Sequence, residues 1–131
     1  MTVAEILKEA KALISTRERF AQMAFAYSEA GAGVDPNDTR ASRWCAVGAV
    51  MRVSGAQPLL LSLPFEVDRA LYLLANEADP YVAQEDALDT FIMTIACVND
   101  HAGVKDDRPD LAFKAIHNLY DAAIKRAEEA A

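Results

Sequence analysis

Eight side chains could carry chemistry in this chain, and they fall into three overlapping sets. Cys45, His101 and Asp100 supply the residue types of a nucleophile, a base and a group that orients the base. Cys45, Cys97, His101 and His117 are the four soft metal ligands of the whole chain, and Cys97 and His101 stand four apart, on one helical face. Arg43, Trp44, Asn99 and Asp100 combine an aromatic surface with polar ends and would suit a small binding pocket beneath Trp44. An ion pair between Arg43 and Asp100 is one way to close it.

Each set has a plainer reading. The close cysteine pair and close histidine pair of a zinc site are both missing, so two core thiols and two partly exposed imidazoles account for the same residues. Cys45 lies in "RWCAVGAVM", where apolar surroundings keep a thiol protonated and slow. Asn99 and Asp100 follow an apolar run, where such residues commonly tie off backbone groups. The acidic clusters Glu85, Asp86, Asp89 and Asp106, Asp107, Asp110 lack calcium-loop spacing and suit first turns of helices. No phosphate-cradling loop, hydrolase elbow or dinucleotide fingerprint is present. The sequence therefore implies no cofactor and no metal, and it leans away from an enzyme.

The elements that must position these residues are helical. In the first segment Val3, Ile6, Leu7, Ala10, Leu13 and Ile14 recur at helical spacing behind Thr2 as cap. Asp35 and Pro36 read as cap and first position of a second helix that runs through Trp44 and Cys45 to a stop at Gly55. Ser62 and Pro64 begin a third, with Val67, Ala70, Leu71 and Leu74 on one face. Leu88, Phe91, Ile92 and Ile95 mark a fourth. Asp107 and Asp110 bracket Pro109 before a fifth carrying Phe113, Ile116, Tyr120, Ala123 and Ile124. Between the first two helices, "RERFAQMAFAYSEAGAGVDP" mixes alternation with turn residues and reads as a short β-hairpin or an irregular excursion.

Trp44 to Met51 is apolar all round, so this helix belongs at the centre with neighbours on several sides. Gly48 in its interior costs about 1 kcal/mol against alanine, which a close backbone neighbour offsets. The apolar run Phe91–Val98 is the expected neighbour.

Composition bounds the rest. A chain of 131 residues, 53% hydrophobic, can bury about two thirds of its unfolded surface in one core. Thirteen basic against 20 acidic residues leave a net charge of −7, against a nucleic-acid partner. No apolar run reaches the roughly 18 residues of a membrane span, and the N-terminus mixes charges unlike a secretory signal. Two cysteines without a signal suit a reducing cytoplasm. The expectation is a soluble, cytoplasmic, bacterial-type all-α protein, with residues 1–131 forming one compact bundle of about five helices.

"RERFAQMAFA", "VDPNDTRASRWCAVGAV" and "CVNDH" together resemble an uncharacterised family of small bacterial and phage proteins. That resemblance rests on Phe25-Ala26, Asp35-Pro36, Arg43 to Ala49 apart from Val47, and Asn99-Asp100. It implies one continuous domain with an upstream excursion, and it carries no activity. The stretch "QPLLLSLPF", with Leu59, Leu60, Leu61, Leu63 and Phe65, has more apolar surface than a solvated connection needs. The functional expectation is a non-enzymatic protein-interaction or regulatory module, a homodimer through that stretch. The alternative is a small enzyme or ligand-binding protein with a pocket around Trp44, Cys45, Asn99, Asp100 and His101.

Overall fold

The structure, a computed structural model, describes residues 1–57, 63–102, 108 and 110–130. Leu59, Leu60, Leu61, the Ser62 cap and the Asp107–Pro109 capping arrangement lie outside the described residues. Within them the elements run α1 (Val3–Leu13), a 3-10 turn (Arg17–Arg19), β1 (Ala26–Ser28), β2 (Ala41–Trp44), α2 (Ala46–Ser54), α3 (Phe65–Ala78), α4 (Leu88–His101) and α5 (Asp110–Ala130).

Four of the five helices follow the apolar periodicity. Thr2 caps α1 by accepting the Glu5 N–H at 3.1 Å, and Ile6, Leu7 and Ala10 are buried along one stripe. On α3 the buried set includes Val67, Ala70, Leu71 and Leu74; on α5 it is Ala112, Ile116, Tyr120, Ala123 and Ala127. These stripes close one core, in which α5 packs on α1, α3 and α4 while α2 packs on α1, α3 and α4. Edge-to-face rings join the parts: Tyr72 meets Phe91 between α3 and α4, and Phe20 meets Phe113 between the excursion and α5. His117 Nε2 lies 2.8 Å from the Ile14 carbonyl just past α1; a carbonyl only accepts, so that nitrogen carries the hydrogen. No described helix is long and apolar enough to cross a membrane.

The second helix starts ten residues later than the Asp35-Pro36 pattern implied. Asp35 accepts the Asn37 N–H and Asp38 accepts the Arg40 N–H, each at 2.8 Å, so both carboxylates are spent on local turns. A side-chain acceptor two residues ahead of a donor looks the same in sequence as a helix cap. The chain then extends as β2, antiparallel to β1 with Ala26 opposite Trp44 and Tyr27 opposite Arg43. The excursion is therefore a genuine two-stranded sheet between α1 and α2, and the fold is helical without being strictly all-α.

Trp44 consequently ends a strand, and Cys45 is the cap of α2: its Sγ accepts the Gly48 N–H at 3.2 Å. The burial foreseen for this segment is nonetheless complete, with every residue from Trp44 to Met51 buried. Gly55 ends α2 with φ +73°, a left-handed position suited to glycine.

One expectation about packing, the neighbour of Gly48, is corrected. Helix α4 is not enclosed: Phe91, Ile95 and Asn99 are buried, but Met93 is 68% exposed and Cys97 is exposed. Nor is α4 the backbone that fills the space at Gly48. A Cβ placed there would overlap the carbonyl oxygen and carbon of Phe25. The close approach is real, and its partner is the excursion.

Replacing Gly48 by alanine should therefore destabilise the protein, although alanine favours helix by about 1 kcal/mol. Backbone cannot swing aside as a side chain can, so the expected loss is about 2–3 kcal/mol of overpacking strain in urea unfolding. A variant as stable as the parent would contradict the close approach.

Candidate functional site

The residues singled out by chemistry converge where the excursion, the first turn of α2 and the last turn of α4 meet. Asn99 is the hub, 1% exposed. Its Oδ1 accepts the Ala46 N–H at 2.9 Å, one of the first-turn donors that a helix leaves without a partner. Its Nδ2 donates to the Ala21 carbonyl at 3.0 Å and to Asp100 Oδ1 at 2.8 Å. Donor on one side and acceptor on the other leave a single orientation for the amide.

Asp100 extends the hub, since Oδ1 also accepts the Met23 N–H at 2.9 Å. That bond holds Met23 at φ +71°, a conformation unusual for a residue with a side chain. Gln22 Nε2 in turn donates to the Asn99 carbonyl at 2.9 Å, serving the open end of α4, and Tyr27 donates to the Gln22 carbonyl at 2.8 Å. From the far side Tyr120, fully buried on α5, donates to the Ala46 carbonyl at 2.7 Å. Backbone bonds complete the seam: Ala21 N–H to the Trp44 carbonyl at 2.9 Å, and Cys45 N–H to the Phe25 carbonyl at 3.1 Å.

Of the proposed binding residues, Asn99 and Asp100 thus belong together, and their first task is to hold the excursion against α2 and α4. Trp44 contributes differently. Its Nε1 donates to the Pro36 carbonyl at 3.0 Å, and Arg52 lies over its ring while donating to the carbonyls of Pro36 and Asp38. The supposed Arg43–Asp100 ion pair is absent among the described residues. The guanidinium of Arg43 instead lies 4.9 Å from the Tyr27 ring centre, because their strand register sets the two opposite each other.

Cys45 remains a buried thiol, and burial pushes its pKa up to about 11 from 9.0, with the nearby Asp100 charge adding to the rise. His101 is exposed on α4, and among the described residues no hydrogen bond joins it to Cys45 or Asp100. As for the four soft ligands, Cys97 faces solvent and His117 is engaged with Ile14. No cluster of three His, Cys, Asp or Glu converges among the described residues. Sequence reasoning missed Gln22, Met23 and Tyr120. A tyrosine on the apolar face of α5 does announce a hydroxyl in need of a partner, but neither of the other two carries such a signal.

What fold and seam define is a small helical domain whose polar residues are used to join an irregular segment to two helix ends. The chain belongs to a group described as Family of unknown function (DUF6197), whose sequence model matches residues 1–126. No curated protein and no solved structure matches it.

Two measurements probe the seam. Asn99→Ala strands the Ala46 N–H and the Ala21 carbonyl, so at about 1–3 kcal/mol for each buried group the loss should reach about 2–6 kcal/mol. A loss below about 1 kcal/mol in urea unfolding would contradict the role of that amide. The thiol adds a pH dependence. The folded chain keeps a proton that the unfolded chain releases, so this contribution is full below pH 9 and is lost as pH rises toward about 11. Its size is on the order of 2–3 kcal/mol across the window. Tyr120, raised well above 10 by burial, acts in the same direction. Cys45→Ser keeps a cap acceptor without the titrating thiol, so its urea midpoint should fall less steeply above pH 9 than that of the parent. Parallel curves for the two proteins would refute the assignment.

Proposed function

We propose that this protein is a non-enzymatic interaction module of the cytoplasm that works through protein contacts, beginning with a second copy of itself. The observation that carries the reading is Phe65, 67% exposed at the first position of α3. It does not stand alone. With Met1, Leu73 and Ala127 it lines an open trough between the start of α1, the start of α3 and the end of α5. Exposed apolar surface rimmed by polar residues commonly marks an interface.

The rim supports self-association in particular. Glu5, Glu66 and Glu129 share it with Arg69 and Arg126. Both signs on one patch allow two copies related by a two-fold axis to set acid against base. The opposite choice, a nucleic acid, meets the net charge of −7. The cytoplasmic assignment rests on the two unpaired cysteines, of which Cys97 is exposed, a thiol suited to a reducing compartment.

The seam also argues against catalysis at Cys45. Its thiol is held neutral, and the Ala46 and Gly48 N–H groups that could have stabilised a developing oxyanion already serve Asn99 and Cys45 itself.

Light scattering behind size-exclusion chromatography tests the proposal. At micromolar concentration the chain should run at twice its 14.2 kDa. Phe65→Ser, which removes an exposed ring and no core contact, should return the monomer mass without lowering the melting temperature. A monomeric parent would refute self-association.

A further inference from the structure

One feature of the seam is not used in holding it together. Between residues 23–25 of the excursion and α4 lies a half-open cavity of about 220 Å³, with Cys45 and Val47 at its back. Its walls are Phe25, Ile92, Ile95 and Ala96, and its polar members besides Cys45 are Asn99 and Asp100. Both ends of the Asn99 amide are committed to protein groups. Asp100 is different: Oδ1 takes both of its hydrogen bonds, and Oδ2 accepts none from any described residue. No described Lys, Arg or His pairs with it. A carboxylate therefore borders an apolar space with one oxygen that accepts no hydrogen bond from a described residue.

We propose that this cavity binds a small apolar molecule carrying one amino group, its ammonium paired with Asp100 and its body between Phe25, Ile92 and Ala96. Size sets the scale of the ligand. A cavity of roughly 150 Å³ suffices for benzene, so this one accommodates one aromatic ring with a short substituent or a fused pair. It is too small for more than one or two side chains of a docked peptide, which directs the choice to a free small molecule. Charge sets the chemistry. A cation entering apolar surroundings needs a counter-ion, and Asp100 is the one acidic side chain lining the cavity besides the protonated Cys45 thiol. A carboxylate-bearing ligand meets repulsion at the same point. Met23, exposed and flexible, lines the cavity too and can adapt its thioether to the bound group. The proposal is independent of self-association, and a monomeric chain that binds such an amine leaves it standing.

The test uses the full chain, with benzylammonium, toluene and benzoate as probes of one ring size, followed by amide and methyl NMR. Benzylammonium should give saturable shifts centred on Met23, Ile92, Ile95 and Ala96, and bind at least tenfold tighter than toluene. Benzoate should leave the spectrum unchanged. Asp100→Asn keeps an oxygen for the Met23 and Asn99 donors; it should reduce benzylammonium to the affinity of toluene and leave toluene unaltered. Ala96→Leu, which fills the space, should abolish binding of both. The proposal is overturned if benzylammonium produces no saturable shifts or shifts other residues. It is equally overturned if benzoate or toluene matches benzylammonium, or if Ala96→Leu binds like the parent.

Discussion

A strip of irregular backbone, residues 21–25, lies directly on the first turn of α2, and the absence of a side chain at Gly48 is what lets it lie there. Everything else at the centre of the molecule follows from that contact. With the strip so close, the Phe25 carbonyl reaches the Cys45 N–H, and the Ala21 N–H reaches the Trp44 carbonyl. Irregular backbone pressed against a helix in this way would otherwise leave the donors and acceptors it covers without water or partners, each at a cost comparable to a lost hydrogen bond. Asn99 supplies the remainder, because an amide can donate to the strip and accept from the helix at once.

The same contact explains several local choices that look unfavourable in isolation. Cysteine is a weak acceptor and a poor helix cap, yet a larger or charged acceptor at position 45 would sit in an apolar enclosure beside Asp100. Met23 adopts a left-handed backbone, and the Asp100 carboxylate that receives its N–H holds it there. Tyr120 places a hydroxyl in the core where the Ala46 carbonyl has a lone pair to offer. Met23 and Tyr120 are each strained or polar by themselves and satisfied by a neighbour from another element, so the group stands or falls together.

The candidate site was partly legible. Asn99 and Asp100 after an apolar helix pointed to backbone tethering, and their side chains do bond backbone, though that of the excursion and of α2 where their own helix end was expected. Burial of Cys45 was legible from the unbroken apolar run around it. Arg43 was misread because its partner, the Tyr27 ring, lies sixteen residues upstream across a strand pairing with no local signature. Gln22 and Met23 were invisible for a related reason: what they do depends on the Asn99 carbonyl and the Asp100 carboxylate, contributed by the far end of the chain.

By itself the sequence determined α1, α3, α4 and α5, the enclosure of residues 44–51, and the need for something close at Gly48. These rest on apolar periodicity, capping and missing volume, which are properties of neighbours in the chain. Tertiary structure alone decided that Asp35 and Asp38 make turns where a cap was expected, that 41–44 extend to meet 26–28, that α4 keeps one face in water, and that Phe25 is the neighbour of Gly48. Apart from the two local turns, those outcomes depend on groups 15 to 80 residues apart, such as Ser42 with Tyr27 or Ala21 with Asn99, whose meeting no local pattern encodes.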